Sequence, residues 1–107
     1  MAHTDNTMPP KPGDVLRKRV LGDMDITQDQ LAEALGVSRH SVNQLLNSRR
    51  AVTPEMALRL ERVLDTSADM WLNLQAQVDL HDARQKIGDD LSKLPALRKS
   101  ESSKTAG

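Results

Sequence analysis

The chain has 107 residues, equal counts of Lys+Arg and Asp+Glu (15 each), 37% apolar residues, and Trp71 as its single aromatic. That length suggests about one domain. The absence of Cys excludes a disulfide frame, a thiolate metal site and a catalytic thiol, and no apolar run approaches the ~18 residues that span a bilayer. Met1 to Pro12 is polar and lacks the apolar stretch of a secretory signal, so a cytoplasmic protein without membrane contact is expected. A core of Leu, Val, Ala and Met, nearly free of aromatics, favours helices over strands.

Residues 1–12, rich in Thr, Asn and Pro, read as a disordered leader. Five helices follow. The first spans about Gly13 to Leu21, with Val15, Leu16, Arg19 and Val20 at helical spacing and Gly22 as a stop. The second starts at Thr27, an N-cap whose capping-box partner is Gln30, with Ile26 stapled to Leu31. Its core face is Leu31, Ala34 and Leu35, and Gly36 ends it by taking a positive φ without steric cost. The third starts at Ser38, with Val37 stapled to Val42. Val42 and Leu45 face inward, Leu46 lies at the edge, and Arg39, His40, Asn43, Gln44 and Asn47 face outward. The fourth starts at Thr53-Pro54, an N-cap followed by Pro at the first helical position, and buries Met56, Ala57, Leu60, Val63 and Leu64. The fifth starts near Thr66 or Ser67 and runs past Leu80 toward Lys86. Residues 13–86 are the expected folded domain and 87–107 a mobile tail, in which Leu91, Leu94 and Leu97 could form a short docking turn.

Zero net charge hides an asymmetry. Residues 13–82 carry 8 basic and 11 acidic groups, whereas 83–107 carry 6 basic and 3 acidic. Ala34 to Pro54 contains no acid but holds Arg39, Arg49 and Arg50, a candidate polyanion footprint. It falls on two short helices joined by a Gly-containing turn, Thr27 to Asn47, which is the helix-turn-helix pattern. Such a unit lays its first helix across the phosphate backbone and offers the N-terminal end of its second to the major groove. Arg39 can donate twice to guanine O6 and N7, Asn43 and Gln44 can pair with adenine, and His40 can donate or accept. Gln28 sits at a helix start where a phosphate meets free N–H groups. Arg49, Arg50 and Thr53 follow the third helix, where a second phosphate could be held. An ordinary solvated face also carries Arg, Asn and Gln. The absence of Lys and of acids, together with the spacing of turn and caps, separates this face from that alternative.

The run Thr27-Gln28-x-x-Leu31-Ala32-x-x-Leu35-Gly36-Val37-Ser38-Arg39-x-Ser41-Val42 resembles the lambda-repressor-like (Cro/C1, or XRE) helix-turn-helix. Three flanking segments resemble a narrower group, the HigA/VapI antitoxins: Lys11-Pro12-Gly13-Asp14-Val15-Leu16, Thr53 to Leu60, and Asp65 to Gln75 with its Trp-Leu-Asn-Leu-Gln. The likeness covers about residues 11–82; Lys11 departs from it, since the group commonly has His there. It implies an all-α, five-helix DNA-binding domain and a type II antitoxin that represses its own operon and neutralises a RelE-like, HigB-type mRNA-cleaving toxin. Carried over by position, it puts Gln28 on phosphate, Ser38 near the backbone, and Arg39, His40, Asn43 and Gln44 on base edges.

Trp71, Leu74 and Val78 form one stripe on the fifth helix, and Leu72, Ala76, Leu80 and Ala83 a second. Together they are broader than one helix packed on a small bundle needs. A homodimer seam through Trp71, Leu72, Leu74, Ala76, Val78 and Leu80 is expected, with Asn73, Gln75 and Gln77 at its rim, because paired half-sites call for two-fold symmetry. The alternative is that both stripes are core. Candidate toxin-facing segments are the leader through Arg17, Lys18 and Arg19, the tail around Leu91, Leu94 and Leu97, or the acids Asp23, Asp25, Asp29, Asp65 and Asp69. His3, His40 and His81 lie far apart, and Asp79, His81 and Asp82 read as a surface cluster, not a metal site. With no phosphate loop and no nucleophile elbow, an enzyme, a cofactor and a small-molecule ligand are not expected. Two rival readings remain: a stand-alone XRE-family repressor without a toxin, and an interaction module that has lost DNA binding.

Overall fold

The computed structural model describes residues 8–98. The leader residues 1–7 and the end of the tail, 99–107, lie outside the described residues. What is described is all-helical, in the expected five-helix order.

Helix α1 spans Pro12–Leu16. Lys11 precedes it in an extended conformation, and Pro12 occupies a position whose N–H would have had no helical partner. Pro12, the last residue of the expected leader, is itself buried. From Arg17 to Asp23 the helix continues with wider π-type turns, as in the Met24 N–H bond to the Arg19 carbonyl at 3.1 Å. This carries the helix past Gly22, which is not the stop the sequence suggested. The extra residue per turn moves the reversal to Asp25, whose φ is 56°. A short polar side chain tolerates that left-handed region.

Helix α2 spans Gln28–Leu35 and α3 spans Arg39–Leu46. The capping box forms as expected: Thr27 Oγ1 accepts the Gln30 N–H at 3.1 Å, and Gln30 Oε1 accepts the Thr27 N–H at 2.8 Å. Gly36 takes φ 73° and turns the chain into Ser38, whose Oγ accepts the Ser41 N–H at 3.0 Å. The buried face of α2 is Leu31, Ala32 and Leu35, while Ala34 is exposed. Contact with α4 as well as α3 turns the buried arc toward Ala32. Leu46 is also fully buried instead of lying at an edge, because α1 crosses the end of α3. The approach is close. A Cβ on Gly13 would stand 2.5 Å from the Leu45 carbonyl oxygen and 2.8 Å from that of Leu46, so only glycine fits.

Helix α4, Pro54–Leu64, buries Ala57 and Leu60 and leaves Met56, Val63 and Leu64 half-buried. Helix α5, Ala68–Ser92, is capped by Ser67. It overruns the expected end at Lys86, with one non-helical residue at Ile87. The stretch before that kink, residues 68–86, makes a rod of about 28 Å. The core joins Leu16 and Val20 to Leu31, Leu35, Val42, Leu45, Leu46, Leu60 and Trp71.

Candidate nucleic-acid interface

Helices α2 and α3 position the candidate site. Burial of Val42, Leu45 and Leu46 fixes the rotation of α3 and leaves Arg39, His40 and Asn43 exposed and Gln44 half-buried. The three N-caps double as candidate phosphate contacts. A hydroxyl has two lone pairs and one proton, so Thr27 and Thr53 can accept the Gln30 and Met56 N–H groups and still donate outward. Ser38 is more committed, because its Oγ also bonds Ser41 Oγ at 3.0 Å. The Gln28 amide oxygen is buried without a hydrogen-bond partner among the described residues. A phosphate only accepts, so the amide nitrogen is the end suited to it.

Several side chains on this face are already engaged. Arg39 Nε lies 3.3 Å from Asp29 Oδ1, in a pair whose side chains are 68% and 71% exposed. Arg50, expected on a phosphate, donates to Gln44 Oε1 at 3.0 Å. Asn47 donates through Nδ2 to the Asn43 carbonyl at 2.9 Å and to Asn43 Oδ1 at 3.3 Å. Behind it, Arg17 Nη2 reaches the Leu46 carbonyl at 2.8 Å and Asn47 Oδ1 at 3.0 Å. Arg17, one of the toxin-facing candidates, holds the C-terminal end of α3, where carbonyls lack helical partners. Arg59 does the same for α2, donating to the Leu35 carbonyl at 2.7 Å while paired with Glu55 at 3.0 Å. Neither arginine's role is readable from its local sequence, because the carbonyls lie 29 and 24 residues away.

The fifth helix needs one correction. Trp71 is fully buried within the single chain, and its Nε1 donates to Thr66 Oγ1 at 2.7 Å. It closes the core over α4 and has no surface left for a second copy. Gln75, expected at a dimer rim, accepts the Val52 N–H at 2.8 Å and donates to Asp79 at 2.9 Å. Leu72, Leu74 and Val78 are half-buried, and Ala76 and Leu80 are exposed. An exposed apolar row continues along α5 through Leu80, Ile87 and Leu91. His40 is exposed and His81 half-buried, and the described residues contain no cluster of His and acids able to hold a metal. No helix among them is long and apolar enough to cross a membrane.

Comparison with known proteins agrees with this geometry. A helix-turn-helix family profile matches residues 16–71. An uncharacterized HTH-type transcriptional regulator of Escherichia coli K12, YbaQ, is 47% identical over 79 residues, which is 74% of this chain and 70% of the relative. The antitoxin HigA-1 of Vibrio cholerae is 37% identical over 78 residues, 73% of each chain. Among solved structures, the Pseudomonas aeruginosa antitoxin HigA with the higBA promoter superposes with a TM-score of 0.79 at 37% identity. That match covers 84% of this chain and 99% of the other.

Proposed function

The chain belongs to the XRE-type helix-turn-helix family, and from that premise we propose that it is a sequence-specific DNA-binding antitoxin of the HigA kind. In this reading it represses its own operon and neutralises a RelE-like, HigB-type mRNA-cleaving toxin. The observation that carries the DNA half is the outer face of α3. Arg39, His40, Asn43 and Gln44 stand on one surface of a helix whose rotation the core fixes, at the end that a helix-turn-helix offers to the major groove. Thr27, Gln28, Ser38, Arg49, Arg50 and Thr53 flank it as backbone contacts. The toxin half is supported by likeness to proteins named HigA antitoxins.

Two copies would bind as a symmetric dimer, each reading a half-site about one DNA turn from the other. The seam we propose runs along α5 through Leu72, Leu74, Ala76, Val78 and Leu80. The DNA-binding and dimerisation unit is then residues 13–86, bounded by the break at Ile87. Repression follows by occupation of an operator that overlaps the promoter, in the cytoplasm where the DNA lies.

A reporter fused to the chain's own upstream DNA tests repression, and co-expression with the product of the adjacent reading frame tests the toxin. The expected results are a repressed reporter and relief of the growth arrest that the neighbour causes alone. A repressed reporter beside a harmless, non-binding neighbour would select the stand-alone repressor instead, the reading favoured by the regulator name of YbaQ.

A further inference from the structure

The ion pair at the front of the helix-turn-helix runs from one helix start to the other. Asp29 stands in the first turn of α2, and Arg39 opens α3. They meet through Arg39 Nε and Asp29 Oδ1 at 3.3 Å, with both side chains mostly exposed. A guanidinium has five N–H donors, one on Nε and two on each terminal nitrogen. Asp29 engages the Nε side, so the end formed by Nη1 and Nη2 stays available. By itself that end can span guanine O6 and N7. The acid comes from outside the acid-free stretch Ala34 to Pro54. It reaches the surface assigned to DNA, where a negative charge opposes the approach of phosphates.

We infer that Asp29 is a specificity-determining residue of the reading face, positioning Arg39 for a guanine edge and withholding it from phosphates. The inference rests on the operator reading above. An unpaired arginine at this place can offer either fork of its planar head to a base, or swing to the DNA backbone. Holding Nε leaves the terminal fork, and the adjacent carboxylate offsets the charge that draws a guanidinium to phosphate. The pair contributes little while water surrounds it. Docking on DNA displaces that water, and the same contact strengthens as the effective dielectric falls. Asp29 thus acts through Arg39 without touching the base. An acid in the first turn of α2 also interacts favourably with the positive end of that helix. That contribution does not depend on Arg39, which makes the two roles separable.

Site selection from a random duplex pool tests this, with Kd measured on the selected site and on unrelated DNA. The chains compared are the native full-length protein, Asp29→Ala, Arg39→Ala and the double variant. Asp29→Ala is expected to lower guanine preference about tenfold at the one position read by Arg39, within the range of one base contact. Positions read by Asn43 and Gln44 should not change. Binding to unrelated DNA should tighten, and its salt dependence should steepen by about one phosphate contact. In the Arg39→Ala chain the same substitution is expected to leave every base preference unchanged. A uniform gain on all sequences from Asp29→Ala, with preferences intact, would overturn the inference, since Asp29 would then only repel phosphates. So would a uniform loss that follows a lower Tm, which would make it a helix-start acid alone, or an equal relaxation of preference with Arg39 absent. If Arg39→Ala leaves all preferences of a selective native chain intact, the inference falls and the operator reading stands. A native chain that selects no sequence would defeat the operator reading itself, and the role of Asp29 with it.

Discussion

At the scale of single residues, the candidate site is a set of side chains held in readiness by partners. Arg39 is ion-paired with Asp29 across the turn, but both are largely exposed, and exposed pairs contribute only about 0–1 kcal/mol. A base edge can therefore engage Arg39 at small cost. Arg39→Ala is expected to lose about 1–3 kcal/mol of specific binding and to relax preference at one base position; a titration panel with each base varied reads both. Gly13 makes the opposite kind of contribution. It touches no ligand in this account but lets α1 rest on the carbonyls that end α3. Gly13→Ala is expected to destabilise the fold by about 1–3 kcal/mol through overpacking, seen as a lower urea midpoint. The outward polar residues of α3 were legible in the sequence because helical period alone assigns them a face. Their pairing was not: Arg17 meets Asn47 across 30 residues of chain and Arg50 folds back on Gln44, and periodicity carries neither fact.

At the scale of elements, the helix starts were readable because capping is local. Thr27, Ser38, Thr53 and Ser67 each accept the N–H three residues on. Thr27→Ala is expected to cost about 1 kcal/mol, measured as a fall in Tm; an unchanged Tm would remove Thr27 from the capping role. Helix ends and rotations were less readable. The π-type segment moved the first reversal from Gly22 to Asp25. The buried arc of α2 runs through Ala32, not Ala34, since two neighbours share that helix. Trp71 shows the limit of stripe counting on α5. An i, i+3, i+7 pattern cannot say whether an aromatic closes its own core or meets a second copy, and full burial with a bond to Thr66 decides for the core.

At the scale of the whole molecule, the long α5 and the neutral total charge matter most. The exposed apolar row that includes Leu80 and Ile87 stands along a helix that overruns the bundle, and in this account a second copy covers part of it. Leu80→Asp is expected to shift the dimer to monomer in sedimentation equilibrium while far-ultraviolet circular dichroism stays unchanged, because Leu80 is 45% exposed and outside the core. Operator affinity should fall with it, since each monomer keeps only one half-site. A chain with as many acids as bases has no long-range pull on DNA from its net charge. Its attraction must come from the acid-free stretch around α3, where contacts with phosphates release counterions.

The most direct test of the central claim is a gel-shift of the purified chain on its own upstream DNA at 50 and 200 mM salt, with the Arg39→Ala/Asn43→Ala double variant alongside. A dimer neutralising about 6–10 phosphates should lose roughly 10³–10⁵ in affinity between about 50 and 200 mM salt, and the double variant should lose the sequence-specific band while remaining folded. A specific shift that ignores salt, or a folded native dimer that shifts its upstream DNA no better than unrelated DNA, would contradict the account.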